Sequence, residues 1–169
     1  MKTYKIIFLG LIAAMSTAML SGCGSSVNYV QPNQVMSQST TIQGNEIRHG
    51  MLSANWTYTY VRSIDNRPIS YSFFTGMSAG YKIRVTPNMP HKFTILSQFN
   101  QSMTDGGPYE GFGDITATLK PGQNYVVRSK SNGAKINMWI ENMSGKKISQ
   151  ILSVPYNAMP QDETIIVNN

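Results

Sequence analysis

The sequence predicts an all-β fold, and three observations carry that reading. From Trp56 onward apolar and polar residues alternate with period two, as in strands buried on one face. The alternating runs are rich in Thr, Tyr, Val and Ile, which suit a pleated surface, and each stops at Pro, Gly, Asn or Asp. After residue 23 no window sustains the 3.6-residue apolar period of a helix. The spacing of the runs points to a single antiparallel β-sandwich of about 7–8 strands.

The chain opens with MKTYK, a basic start, followed by the apolar run IIFLGLIAAMSTAML and then Ser21-Gly22-Cys23. A charged beginning, a short apolar stretch and small residues before a break point make a secretory signal peptide. The run is shorter and more interrupted than the roughly 20 apolar residues that span a bilayer. Leu20-Ser21-Gly22-Cys23 resembles the lipobox of bacterial lipoproteins. The resemblance implies cleavage after Gly22 and acylation of Cys23 on its sulfur and on the new amino group. Cys23 is the one cysteine of the protein, so no intramolecular disulfide can form. Several acyl chains on one residue give stable anchoring, since each buried CH₂ contributes about 0.8 kcal/mol. Gly24 follows where inner-membrane lipoproteins commonly carry Asp, which implies the outer membrane.

Residues 1–22 are thus expected to be the signal, and what remains suffices for one domain. The formal net charge of +6 includes Lys2 and Lys5, which leave with the signal. The remaining basic residues are spread out, with no run of Lys or Arg, so the sequence does not point to nucleic acid. Residues 23–45, rich in Ser, Gln, Asn and Thr, read as the acylated cysteine and a flexible tether. The β-sandwich is expected over 46–155, and 156–169 as a tail whose TIIV could pair with a sheet edge or a partner chain.

Within the expected domain, "WTYTYVRSI", "YKIRV", "KFTILSQF", "GDITATL", "NYVVRSK", "KINMWIE" and "KKISQILSV" are the strand candidates. The breaks between them are Asp65–Pro68, Ser78–Gly80, Pro87–Pro90, Pro121-Gly122, Ser131–Gly133 and Ser144–Lys146. Segments of this order resemble PEGA-like and related sandwich modules of small envelope lipoproteins. "YVRSIDNRPISY" looks like their first hairpin, "IRVTPNMPHKFTI" and "LKPGQNYVV" like their Pro-Gly turns, and "MWIENMSGKKI" like their W-I-x-D segment. Met89-Pro90 stands where those modules have Gly, and Asn142 where they have Asp. The resemblance implies a fold and a non-catalytic module, and fold alone does not supply a function.

Gly76-Met77-Ser78-Ala79-Gly80 is a literal G-x-S-x-G. A nucleophile elbow needs a strand, a sharp turn and then a helix. Here "YKIRVTP", an alternating run closed by Pro, follows instead. The histidines are His49 and His91, and no carboxylate lies between Ser78 and His91. The expectation is a turn, with a Ser78 hydrolase as the weaker alternative.

"DGGPYEGFGD", residues 105–114, sets Asp105, Glu110 and Asp114 among glycines. Such a loop can wrap calcium, but its spacing fits neither known calcium repeat. It is expected to be a mobile loop presenting Tyr109 and Phe112 to a partner. No metal or cofactor is expected. Trp56, Tyr58 and Tyr60 share one strand face and read first as core, second as a stacking platform for sugars. In "KINMWIE", Ile136, Met138 and Ile140 take one face, leaving Trp139 beside Lys135, Asn137 and Glu141. Trp139 is then either a partner-binding anchor or covered by a loop. The sequence thus predicts a lipid-anchored envelope protein that binds a protein, peptidoglycan or glycan partner, with a carbohydrate- or lipid-binding module as the alternative.

Overall fold

The structure, a computed structural model, describes residues 28–33, 39–48, 55–70, 80–100 and 107–159. These residues are all-β, in the strands β1 Thr41–Gln43, β2 Asn45–Arg48, β3 Trp56–Ile64, β4 Arg67–Pro68, β5 Lys82–Arg84, β6 Pro90–Asn100, β7 Tyr109–Thr118, β8 Asn124–Ser131, β9 Lys135–Asn142, β10 Leu152–Pro155 and β11 Asn157–Ala158. A five-stranded sheet runs β10-β9-β8-β1-β5. A six-stranded sheet runs β11-β7-β6-β3-β2, with β4 beside β3. The six-stranded sheet is antiparallel throughout. In the other sheet β1 lies parallel to β8, which departs from the antiparallel expectation. Parallel neighbours need a long crossover rather than a hairpin, and here the chain visits the second sheet between the two strands.

The two sheets share one core. Ile42, Val61, Phe93, Ile95, Val127 and Ile140 are wholly buried in it, from β1, β3, β6, β8 and β9. On β9, Ile136, Met138 and Ile140 point inward as their alternation predicts. The expected turns are also present. Asp65 and Asn66 both have positive φ between paired Ile64 and Arg67, the two-residue hairpin their short polar side chains favour. Asn142 organises its turn through Oδ1. That oxygen accepts the N–H groups of Ser144 at 3.2 Å and Lys146 at 2.9 Å, and the Ser144 hydroxyl at 2.8 Å.

Three expectations need correction. The tether expected over 23–45 contains structure: Thr40, Thr41 and Ile42 are buried, and β1 lies between β8 and β5. Upstream, the Tyr29 N–H donates to Pro68 O at 2.9 Å and its hydroxyl to Arg84 O at 3.1 Å. The segment is short of large apolar groups, but strand pairing supplies its backbone hydrogen bonds and Ile42 alone fills a core position.

The second correction concerns residues 105–114. Asp105 lies outside the described residues, but Tyr109 to Asp114 belong to β7 rather than to a loop. Gly111 and Gly113 face the other sheet at close range, where an added side chain would crowd it. A Cβ on Gly111 would lie 2.8 Å from Ile136 Cγ2 and 3.2 Å from Pro155 O. Glu110 and Asp114 alternate to the outer face, where Asp114 accepts from Thr94 Oγ1 at 2.7 Å and lies 3.3 Å from Lys92 Nζ.

The third is β3. Val61 and Ile64 are in the core, while Trp56 and Tyr58 are only partly buried on the opposite face, where Tyr60 alone of the row is buried as expected. A bulge between Val61 and Ser63 accounts for the irregular step. The inner positions at this end are threonines, and their polarity is satisfied across the two sheets. Buried Thr59 Oγ1 lies 2.6 Å from Ser129 Oγ and 3.4 Å from Ser97 Oγ, and the two serine hydroxyls are 2.8 Å apart. Buried polar groups with partners carry little penalty.

Buried His91 fastens the start of β6. Its Nε2 lies 2.8 Å from Thr86 O and its Nδ1 2.7 Å from Asp65 Oδ2. A carbonyl oxygen can only accept, so Nε2 is the donor to Thr86 O, and Nδ1 faces the carboxylate. Burial raises the Asp65 carboxyl, but the Lys92 N–H, the His91 ring and Arg67 outweigh it and hold it below the ordinary carboxylate range. A carboxyl lowered on folding adds stability above its unfolded pKa and loses it as pH falls through the folded value. Urea unfolding should therefore show wild type losing stability as pH falls below the ordinary carboxylate range, with a flatter profile for Asp65→Asn. An unchanged profile would show that the pair contributes nothing.

Candidate functional site

A cleft of about 730 Å³ opens beside β8. It is lined by Arg128 to Ser131 of β8, by Ile136, Trp139 and Glu141 of β9, and by Ile47, Asn55, Thr57 and Phe99 from the opposite sheet. Topology creates it. β1 pairs with β8 only at Asn124–Val126, and then the chain passes through Gly44 into β2, which pairs with β3 in the other sheet. Past Val126, β8 therefore has β9 on one side and, among the described residues, no strand on the other.

Trp139 is the aromatic group on the outer side of this cleft, and it is held in place. On β9 it sits opposite Arg128 of β8. Its indole N–H donates to Glu141 Oε2 at 2.9 Å, while Glu141 Oε1 accepts from Arg128 Nε at 2.8 Å. Arg128 also donates to Asn45 Oδ1, which ties the network to β2. The Lys147 ammonium lies 4.8 Å from the centre of the Trp139 ring, a cation–π contact. Burial raises the Glu141 carboxyl, but the Trp139 N–H, Arg128 and Lys147 together hold it below the ordinary carboxylate range. Glu141 is thus a charged acceptor that fixes both the indole and the guanidinium. A half-buried ring with its rotamer fixed is pre-ordered for contact, and ordering costs less on binding.

The same face is basic. By strand parity Lys82, Arg84, Arg128, Lys130 and Lys135 point outward from the five-stranded sheet, and Lys147 covers Trp139. Among the described residues of that face, Glu141 is the one carboxylate. The outer face of the six-stranded sheet instead mixes Glu46, Glu110 and Asp114 with Arg48, Arg62 and Lys92.

The sequence-derived candidates scatter around this arrangement. Trp139 lies at the cleft, half-buried on the polar face as its parity predicts. Tyr109 turns inward against Phe99 and Tyr156, with ring centres 5.7 and 5.3 Å away, so it is a packing residue rather than an exposed contact. Phe112 is 57 % exposed on the outer face of the six-stranded sheet, opposite Leu96. The Trp56 and Tyr58 rings lie 5.0 Å apart and tilted by 52° on that outer face, where Arg48 covers Tyr58. Gly22, Cys23, Ser78 and the TIIV of the tail lie outside the described residues. Sequence reasoning missed the cleft itself. Its signal was the pairing of Arg128 with Glu141, two outward residues on neighbouring candidate strands, but register is needed to bring them together.

A second groove of about 530 Å³ runs between Asp114–Thr118 of β7 and Ile148–Leu152. It has no aromatic group in its lining, and Asp114 is its one charged residue. Among the described residues no three His, Cys, Asp or Glu side chains come together as metal ligands would. No family model, curated protein or solved structure matches the chain.

Proposed function

We propose that this chain is a lipid-anchored protein of the bacterial cell envelope whose domain works by binding a partner rather than by catalysis. The two sheets around their common core are read as one β-sandwich, related in kind to the PEGA-like modules that its turns resemble. Leu20 to Cys23 supports the anchor, and Gly24 in place of Asp supports the outer membrane, with the domain facing the periplasm. The observation that carries the binding role is Trp139, fixed by Glu141, Arg128 and Lys147 at the rim of a large cleft. Aromatic residues with arginine beside them are the usual anchors of interfaces. The non-catalytic reading is supported by His91, whose two ring nitrogens are both engaged in holding a turn. A glycan-binding module is the second reading, favoured by Trp56 and Tyr58 on an outer sheet face, since such rings can stack on sugars.

Two experiments test the proposal. Cys23→Ala should abolish incorporation of an alkyne fatty acid and leave the protein unanchored; undiminished label on the variant removes the lipid anchor. A photo-crosslinking amino acid placed at Lys130, on the exposed rim, should trap a discrete adduct in intact cells. A crosslinker at Lys120, an exposed position away from the cleft, serves as the control. Equal adducts from both positions would dismiss the cleft as the binding site.

A further inference from the structure

At one end of the domain β5 leads into β6, β7 into β8, and β9 into the segment before β10, through residues 85–89, 119–123 and 143–147. The hairpin at Asp65-Asn66 lies at the same end, since Ile64 pairs with Phe93 near the start of β6. The chain also enters here. The Tyr29 hydroxyl donates to the carbonyl oxygen of Arg84, the last residue of β5, while Gln31 reaches back to Tyr81, just before that strand starts. Residues 24–27 alone separate Cys23 from the first described residue, Asn28. The six steps from Cys23 to Tyr29 span at most roughly 22 Å when fully extended, and the headgroup layer takes up about 5–8 Å of that. A lipid on Cys23 would therefore hold this end close against the membrane. The surface of this end suits such a neighbour. Val30 is 73 % exposed, Met89 45 % and Met143 64 %, at the entry segment and in two of the turns. Arg67, Lys120 and Lys146 are exposed among them. Among the described residues of these turns Asp65 is the one carboxylate, and it is held by His91 and the Lys92 N–H. The Asn88 N–H donates to Leu119 O at 2.9 Å, which ties the turn of Met89 to that of Lys120.

We propose that this end of the domain docks on an anionic phospholipid leaflet, with Val30, Met89 and Met143 entering the headgroup layer and Arg67, Lys120 and Lys146 meeting lipid phosphates. The proposal rests on the lipid anchor argued above and adds the face that the anchor brings to the membrane. Apolar side chains gain by leaving water at the interface, and each Lys or Arg close to an anionic leaflet strengthens binding about fivefold. Such contacts are weak alone, but a leash this short makes them intramolecular and raises the effective concentration of the leaflet. A protein partner suits this end less well. Its apolar groups stand singly on separate segments with cations between them, whereas a protein interface has a contiguous apolar centre with few charges. Docked in this way, the domain turns its other end, with Lys130 and Ser131 of the cleft, away from the lipid, where a partner can reach it.

The test uses the full chain purified from cells and reconstituted on vesicles of phosphatidylcholine, with or without phosphatidylglycerol. A thiol-reactive fluorophore is placed at Met143→Cys, or at Ala134→Cys in the exposed turn between β8 and β9 at the opposite end. Quenching by a phospholipid carrying a spin label near its headgroup then reports contact with the leaflet. On vesicles with phosphatidylglycerol, quenching at position 143 should exceed that at position 134 by about threefold or more. Removing phosphatidylglycerol, or introducing Lys120→Glu together with Lys146→Glu, should bring position 143 down towards the level of position 134. Equal quenching at the two positions on the anionic vesicles would overturn the docking. Quenching at position 143 that ignores both the phosphatidylglycerol and the two substitutions would show the leash acting alone, and the charged contact would be wrong. The wild-type chain should take up no fluorophore, because the sulfur of Cys23 is acylated. Label on the wild type would instead overturn the anchor, and with it the leash on which the docking depends.

Discussion

Replacing Ile42 by alanine is expected to lower the unfolding free energy by about 2–5 kcal/mol. Ile42 is wholly buried and belongs to β1, which pairs with β8 on one side and β5 on the other. Truncation removes buried methyl groups and leaves a cavity that β1, held on both edges, cannot close by shifting. Urea unfolding of the purified protein measures the loss. In a flexible tether the same substitution would stay within about 0.5 kcal/mol, as surface changes do. Such a small effect would remove β1 from the core and with it the explanation of why β8 is left open.

Gly111→Val should cost about 1–3 kcal/mol or more, an overpacking penalty. The added side chain would begin 2.8 Å from Ile136 Cγ2 and 3.2 Å from the Pro155 carbonyl oxygen. Ile136 is β-branched and buried, and Pro155 is held by β9 through β10, so neither yields easily. Its neighbour Phe112 points the other way and is 57 % exposed, so Phe112→Ala should stay within about 0.5 kcal/mol. Equal, small effects of both substitutions would restore a mobile loop at this place.

These two positions also show why parts of the fold were legible in the sequence and others were not. Strands such as "KINMWIE" could be read because their two faces differ sharply in polarity, and Asp65-Asn66 because positive φ favours short polar side chains. Ile42 was hidden because its neighbours are serines and threonines, whose burial is made possible by partners elsewhere. Thr40, for example, donates to Lys120 O at 2.9 Å. Gly111 and Gly113 looked like loop residues because a glycine that admits a neighbouring sheet is indistinguishable, in sequence, from one that turns the chain. On β3 hydrophobicity points Trp56 and Tyr58 to the core, whereas Thr59 takes the inner place through Ser97 and Ser129, on distant strands, and of the aromatic row only Tyr60 is buried. The candidate site was half legible. Trp139 followed from parity alone, but the cleft depends on where β1 leaves β8, a matter of long-range register.

Trp139 and the cleft beside β8 are where we propose that this domain meets its partner. The yield of the adduct from position 130 in intact cells, compared between the wild-type chain and Trp139→Ala, tests this most directly. Unfolding free energy is measured on both purified proteins alongside. A loss of adduct of about tenfold or more is expected, as for an interface anchor. The expected stability loss is about 1 kcal/mol, because the ring is only half-buried and the Arg128–Glu141 pair survives its removal. An undiminished adduct would contradict the claim, and so would a stability loss as large as the 3–5 kcal/mol or so of a buried tryptophan, which would make Trp139 part of the core.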